Sequence, residues 1–80
     1  MKSTPNQDPL RMRRRRVQAG LTQGDLAVQA DISPSYMSML EGGRASASAP
    51  VLKRIADALS CEIADLMPPL PEQNLAGSAA

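Results

Sequence analysis

The sequence contains no histidine, tryptophan or phenylalanine, one cysteine, Cys61, and one aromatic side chain, Tyr36. A lone cysteine excludes an internal disulfide, and without histidine it has no partner for a structural zinc site, so no metal is expected. The fold must therefore depend on the packing of Leu, Ile, Val, Met and Ala. Small aliphatic cores of this kind favour helices.

Long apolar runs are also missing. None approaches the roughly 18 residues of a membrane span, and the first ten residues, MKSTPNQDPL, lack the hydrophobic stretch of a secretory signal. We therefore expect a cytoplasmic protein without a membrane partner. The chain has no glycine-rich phosphate loop and no acid pair with a partner base, so we expect neither enzymatic activity nor a cofactor.

Charge is distributed unevenly, although the net charge is only +1. Five of the nine basic residues lie within residues 11–16, and every charged residue after Arg54 is acidic. The basic block favours a polyanion at the N-terminal end, which the acidic C-terminal end would repel.

The 80 residues suffice for one domain with a modest core. Residues 1–9 are polar with two prolines and predict a flexible N-terminal arm, and the Pro-, Gly- and Ala-containing residues 68–80 predict a disordered tail. Residues 10–67 carry apolar side chains at helical spacing, with no alternating strand pattern and no internal repeat. The expected class is all-α.

Cap and turn residues divide residues 10–67 into five expected helices. The first covers residues 10–19, buries Met12 and Val17, and ends at Gly20. The second follows the N-cap Thr22 and ends near Ala30, with Asp25 favourable to its dipole.

The third helix begins at the N-cap Ser33, has Pro34 in its first position, and ends at Glu41 before two glycines. The fourth is capped by Ser46 or Ser48, and its buried face comprises Leu52, Ile55, Ala56 and Leu59. A short fifth helix starts at Ser60 or Cys61, contains Ile63 and Leu66, and is closed by Pro68.

Two short helices joined by a tight turn, the second with a Ser-Pro start, are typical of a helix-turn-helix, whose second helix enters the major groove. Further residues match the pattern of a known family in the same order along the chain. They are Gly20-Leu21-Thr22-Gln23, Leu26-Ala27, Ile32-Ser33, Ser38, Glu41-Gly42-Gly43-Arg44, Leu52, Ile55-Ala56 and Ala58-Leu59. Over residues 10–67 the chain resembles the lambda-repressor-like (xenobiotic-response-element, XRE) helix-turn-helix family of transcriptional regulators. The resemblance implies a compact five-helix domain that binds an operator as a dimer.

The resemblance also implies roles for single residues. Gln23 matches a position from which family members contact the DNA backbone and sometimes reach a base. Arg44 matches a basic position that contacts the DNA backbone. Asp31 stands where the family has a turn glycine, and this position requires a positive φ. Independently of the resemblance, we expect the arginines of the first helix to supply affinity for phosphates as a group, while single arginines of the run are alternatively a solvated helix face. The expected DNA-contacting residues are Arg13, Arg16, Thr22, Gln23, Ser33, Pro34, Ser35, Tyr36, Ser38, Met39 and Arg44.

The outward residues of the third helix include no Arg, Asn or Gln, the side chains that pair with two base atoms at once. We expect moderate specificity, with Ser35 hydrogen-bonding to bases, Met39 and the Tyr36 ring packing on thymine methyl groups, and DNA shape or water adding to the discrimination. Gln23 is the best single candidate to contact a base edge.

Several of these residues also have a structural interpretation. Tyr36 is alternatively a core residue, Glu41 is expected to bond a backbone group or an arginine of the first helix, and Cys61 is expected to be a small buried residue. The apolar residues left over suggest a C-terminal dimer interface, and they are Leu59, Ile63, Leu66 and Met67.

The sequence thus predicts a regulator, specifically a repressor, that binds double-stranded DNA at a palindromic operator as a homodimer, with half-sites about 10 bp apart. Such a protein is nucleoid-associated when it is bound to DNA. One alternative is an antitoxin-like or adaptor protein-interaction module of the same fold. Another is a non-specific nucleoid binder that recognises only DNA shape.

Overall fold

The computed structural model describes residues 4–69, which contain four α-helices, one 3₁₀ helix and no strand. The α-helices are α1 (Pro9–Gln18), α2 (Gln23–Ala30), α3 (Pro34–Glu41) and α4 (Ala49–Leu59). The all-α class is confirmed. The expected fifth helix is only the 3₁₀ helix Ile63–Leu66, because Glu62 before it and Met67 after it are extended. The proline at position 68 favours that extended geometry at Met67.

Each α-helix is preceded by an N-cap residue whose side chain accepts a hydrogen bond from a backbone N–H in the first turn of the helix. The four N-caps are Asp8, Thr22, Ser33 and Ser48. The caps predicted for α2 and α3 are confirmed, Ser48 rather than Ser46 caps α4, and α1 begins one residue before the expected Leu10.

The N-terminus of α2 has a reciprocal cap. Thr22 Oγ1 accepts from Asp25 N at 3.0 Å, and the Asp25 carboxylate accepts from Thr22 N at 3.1 Å. The Thr22 backbone and hydroxyl bonds lower the pKa of Asp25 below its ordinary value. The ionised cap therefore stabilises the folded state at neutral pH, and that contribution is lost as the pH falls through the lowered pKa.

The core lies where α2 packs against α3 and α4, and where α1 and the 3₁₀ helix close one end. Its buried side chains are Met12, Leu26, Ala27, Ala30, Met37, Leu40, Ala47, Leu52, Ile55, Ala56 and Leu66. The prediction that Val17 is buried was wrong, since its side chain is 58% exposed. Val17 lies five positions after the buried Met12, which turns its side chain about 140° around α1 and away from the core.

The turn between α2 and α3 is made by Asp31, whose φ of 59° confirms the expected left-handed conformation. Arg54 of α4 donates from Nε to the carbonyl oxygen of Ala30 at 2.8 Å. This bond satisfies a carbonyl at the end of α2 and fixes the α2–α3 pair to α4.

Residues 6–9 differ from the expected flexible arm 1–9, because they pack on the domain. Gln7 is fully buried: its Nε2 donates to the carbonyl oxygens of Leu40 and Ala45 at 3.0 and 2.7 Å, and its Oε1 accepts from Ala47 N at 2.9 Å. Residues 1–3 of that arm, and residues 70–80 of the expected disordered tail, lie outside the described residues.

Replacing the buried glutamine should destabilise the fold. In Gln7→Ala the Ala45 carbonyl and the Ala47 amide lose their partner, and the Leu40 carbonyl at the end of α3 keeps only its bond from Gly43 N. We expect a cost of about 3 kcal/mol in the free energy of unfolding. The matched control is Gln18→Ala at an exposed position, with an expected change within about 0.5 kcal/mol. Urea unfolding measures both, and equal losses would contradict the assigned role of Gln7.

Candidate nucleic-acid interface

The pair α2 and α3, joined by residues 31–33, presents one face of α3 to solvent. Met37 and Leu40 are buried beneath the helix, whereas Ser35 and Met39 are exposed. The expected division of α3 into an inner and an outer face is therefore observed for these four residues.

Side chains from three helices meet beside this exposed face. Ser35, Ser38, Met39 and Arg44 line one shallow groove. Ser38 and Arg44 also line an adjoining groove with Arg13 of α1 and Gln23 of α2. With Arg16, which also lines the second groove, the structure places seven of the eleven expected contact residues along these two grooves. We call the six other than Arg16 the groove surface.

Arg16, by contrast, is bound within the protein. Its Nε and Nη2 donate to Glu41 Oε2 and Oε1 at 2.7 and 3.1 Å, and its Nη1 donates to the carbonyl oxygen of Leu21 at 2.8 Å. Arg16 therefore has a structural role, which uses three of the five guanidinium N–H donors. Two N–H donors remain, and the expected DNA contact of Arg16 stays a prediction. The expectation that Glu41 pairs with an arginine of the first helix is confirmed.

Glu41 also reaches α2, a link that the sequence analysis missed. Its side chain is 3% exposed, and Oε1 accepts from Gln23 Nε2 at 3.0 Å. A signal was available, because Glu41 lies four residues after the buried Met37 and so on the inner face of α3. A carboxylate on that face needs partners.

The whole arrangement matches a known family. Residues 10–67 match a family described as a helix-turn-helix domain. The protein belongs to this helix-turn-helix family. The resemblance to lambda-repressor-like helix-turn-helix regulators that the sequence motifs carry is thereby confirmed.

Solved structures support the same assignment. The restriction-modification controller protein C.AhdI from Aeromonas hydrophila is 30% identical, with 74% of this chain and 89% of that chain covered and a TM-score of 0.72. The clp gene regulator ClgR from C. glutamicum is 33% identical over 90% of this chain and 87% of that chain, with a TM-score of 0.68.

The helix-turn-helix fold also occurs inside a longer enzyme. Hydroxypropylphosphonic acid epoxidase from S. wedmorenis is 25% identical over 89% of this chain, with a TM-score of 0.77, but only 38% of the enzyme is covered. No curated protein matches the chain.

The remaining expected contact residues of the helix-turn-helix pair lie at helix starts or against the core. The hydroxyls of Thr22 and Ser33 cap α2 and α3. Pro34 is exposed in the first turn of α3. The half-buried Tyr36 packs on the core, and its hydroxyl donates to the carbonyl oxygen of Ser46 at 3.2 Å. The core interpretation of Tyr36 thus holds for its covered side, and its contact with DNA stays a prediction.

The four apolar residues expected at the dimer interface differ in their exposure. Leu66 is fully buried in the core, so its assignment to an interface was wrong. The 3₁₀ helix turns it inward between α1 and α4. Leu59 and Ile63 are half-buried against the same core, and Met67 is 39% exposed.

The remaining features of residues 4–69 are the lone cysteine, the lengths of the helices and the placement of the acidic side chains. Cys61 is half-buried, and burial raises the pKa of its thiol, which favours a packing role over a reactive thiolate. Within residues 4–69 no helix is long and apolar enough to cross a membrane, and no group of three or more His, Cys, Asp or Glu side chains is placed to hold a metal ion.

Removing the Arg16 side chain should destabilise the helix-turn-helix domain. Arg16→Met leaves the carboxylate of Glu41 buried without its charge partner, and we expect a loss of about 3 kcal/mol in the free energy of unfolding. The matched control is Arg14→Met on the exposed face of α1, with an expected change within about 0.5 kcal/mol. Urea unfolding of both variants measures the difference, and a small loss for Arg16→Met would show that the ion pair is dispensable.

Proposed function

We propose that the protein is a transcriptional regulator that binds double-stranded DNA with α3 in the major groove. The observation that carries the proposal is the groove surface, where Gln23 at the start of α2 adjoins the outward side chains of α3 and two arginines. The family assignment and the likeness to the regulators C.AhdI and ClgR support it.

The contacts divide by chemistry. Arg13 and Arg44 neutralise phosphates on either side of α3, and the N-terminus of α2 adds a backbone amide. Ser35, Ser38 and Met39 contact base edges, and the exposed side of Tyr36 packs against a thymine methyl group. The remaining three residues affect DNA binding indirectly, because they fix the starts of α2 and α3. They are Thr22, Ser33 and Pro34.

In this proposal two copies of the chain bind a palindromic operator as a homodimer, because one eight-residue recognition helix reads few bases. Half-sites lie about one helical turn, 10 bp, apart. The exposed parts of Leu59, Ile63 and Met67 are the remaining interface candidates.

Occupying the operator blocks other proteins from the same DNA, and the protein is therefore a repressor. Enzymatic activity, cofactors and metals have no part in this function, which operates in the cytoplasm on nucleoid DNA.

A second candidate, an adaptor module that binds another protein, is favoured by one observation. Leu10 and Val17 are 76% and 58% exposed on the outward face of α1. The variant Leu10→Ser/Val17→Ser separates the two functions. If the protein is a regulator of the proposed kind, the variant binds the selected operator as the wild type does and co-purifies with the same proteins. If the protein is an adaptor, the variant loses a protein that co-purifies with the wild type, and neither form prefers any duplex over a scrambled one.

Sequence-specific binding is the first consequence to test. A site selected from random duplexes should bind about 10³-fold more tightly than a scrambled duplex at physiological salt, the lower end of the range for specific regulators. The logarithm of affinity should fall with the logarithm of salt concentration, with a slope of about −0.9 per phosphate contacted. Gel shifts measure both quantities. Equal affinity for the two duplexes would favour the non-specific nucleoid binder.

The proposed division between phosphate contacts and base contacts is the second consequence to test. Ser35→Ala/Met39→Ala should change the preferred base at one or two operator positions, because these side chains face base edges. The control, Arg13→Ala, should weaken binding to all duplexes alike and reduce the salt slope by about 1. Binding to a panel of single-base operator variants measures the preference, and an unchanged preference in the double variant would contradict the proposed placement of α3.

A further inference from the structure

The side-chain amide of Gln23 has one orientation that its surroundings permit. The Glu41 carboxylate already accepts from Arg16 with both oxygens, at 2.7 and 3.1 Å, and such a group only accepts hydrogen bonds. Gln23 therefore turns its nitrogen toward Glu41, with Nε2 3.0 Å from Oε1. The reversed amide would bring two oxygen atoms into contact.

This orientation decides which atoms of Gln23 remain available to DNA. One N–H is used by Glu41, and the amide retains its carbonyl oxygen and its second N–H. An acceptor and a donor side by side match the N6 amino group and the N7 atom of adenine. Guanine presents two acceptors, O6 and N7, in the same groove, and would require two donors.

Glu41 lines the floor of the groove that contains Gln23, but it is almost completely covered. Its side chain is 3% exposed, and the guanidinium of Arg16, whose side chain is 13% exposed, faces it. The arginine compensates the charge of the carboxylate, so Glu41 does not repel the phosphates that approach Arg13 and Arg44. Glu41 therefore acts on DNA only through the residue that it orients.

We propose that Glu41 is a positioning residue that fixes the Gln23 amide for recognition of adenine at one position of each half-site. The inference rests on the proposed DNA-binding function and adds the base that Gln23 selects and the reason for it. It assigns to Glu41 a role in specificity besides its role in stability.

The test uses the full chain and compares four proteins by selection from random duplexes followed by binding to single-base variants of the selected site. They are the wild type, Gln23→Ala, Glu41→Gln and the double variant. Adenine should be preferred at one half-site position in the wild type. Gln23→Ala and Glu41→Gln should each reduce that preference about tenfold. The uncharged amide at position 41 accepts or donates, so it no longer fixes Gln23. The double variant should lose no more than Gln23→Ala alone.

Arg16→Lys is the control for stability. It retains a positive charge opposite Glu41 and leaves the Gln23–Glu41 hydrogen bond intact, so it should lower the Tm without altering the adenine preference. An equal loss of preference in Arg16→Lys, a uniform loss of affinity in Glu41→Gln, or retained adenine preference in either Gln23→Ala or Glu41→Gln would overturn the positioning role. A wild type that selects no sequence at all would instead contradict the proposed function.

Discussion

The Glu41 carboxylate holds the three N-terminal helices together. It lies at the end of α3, accepts two hydrogen bonds from Arg16 of α1, and accepts a third from Gln23 at the start of α2. A buried carboxylate tolerates few other arrangements, because an unpaired charge is costly away from water. This requirement fixes the start of α2 relative to α3, and the groove surface is formed where the two helices meet.

The loop after α3 depends on a second polar contact, made by Gln7 from outside the helical segment. Its amide bonds to Leu40, Ala45 and Ala47, so the chain before α1 supports the chain after α3. Arg44 lies within the supported loop. The placement of the arginine that we propose to bind phosphate thus depends on a residue that itself lies away from the groove surface.

Local signals in the sequence predicted much of the helix-turn-helix. Thr22 and Ser33 cap their helices as expected, since a side-chain oxygen that satisfies the first backbone amides acts within one turn. The left-handed conformation of Asp31, in contrast, was expected from the resemblance, because the family has a turn glycine at this position. The first helix was less well predicted, because its arginine-rich sequence has no clear apolar stripe, and Arg16 rather than Val17 occupies the inner face.

By itself, the sequence determined the all-α class, the limits of α2 and α3 and the family, because caps, prolines and glycines act over a few residues. Only the tertiary structure decided that Gln7 and Leu66 are buried, that Arg16 is bound by Glu41, and that the Gln23 amide has one orientation. These outcomes depend on side chains from distant segments, such as Gln7 and Ala47, which are forty residues apart. The sequence allowed an arginine of the first helix as a partner for Glu41, but it identified neither Arg16 nor the partners of Gln7.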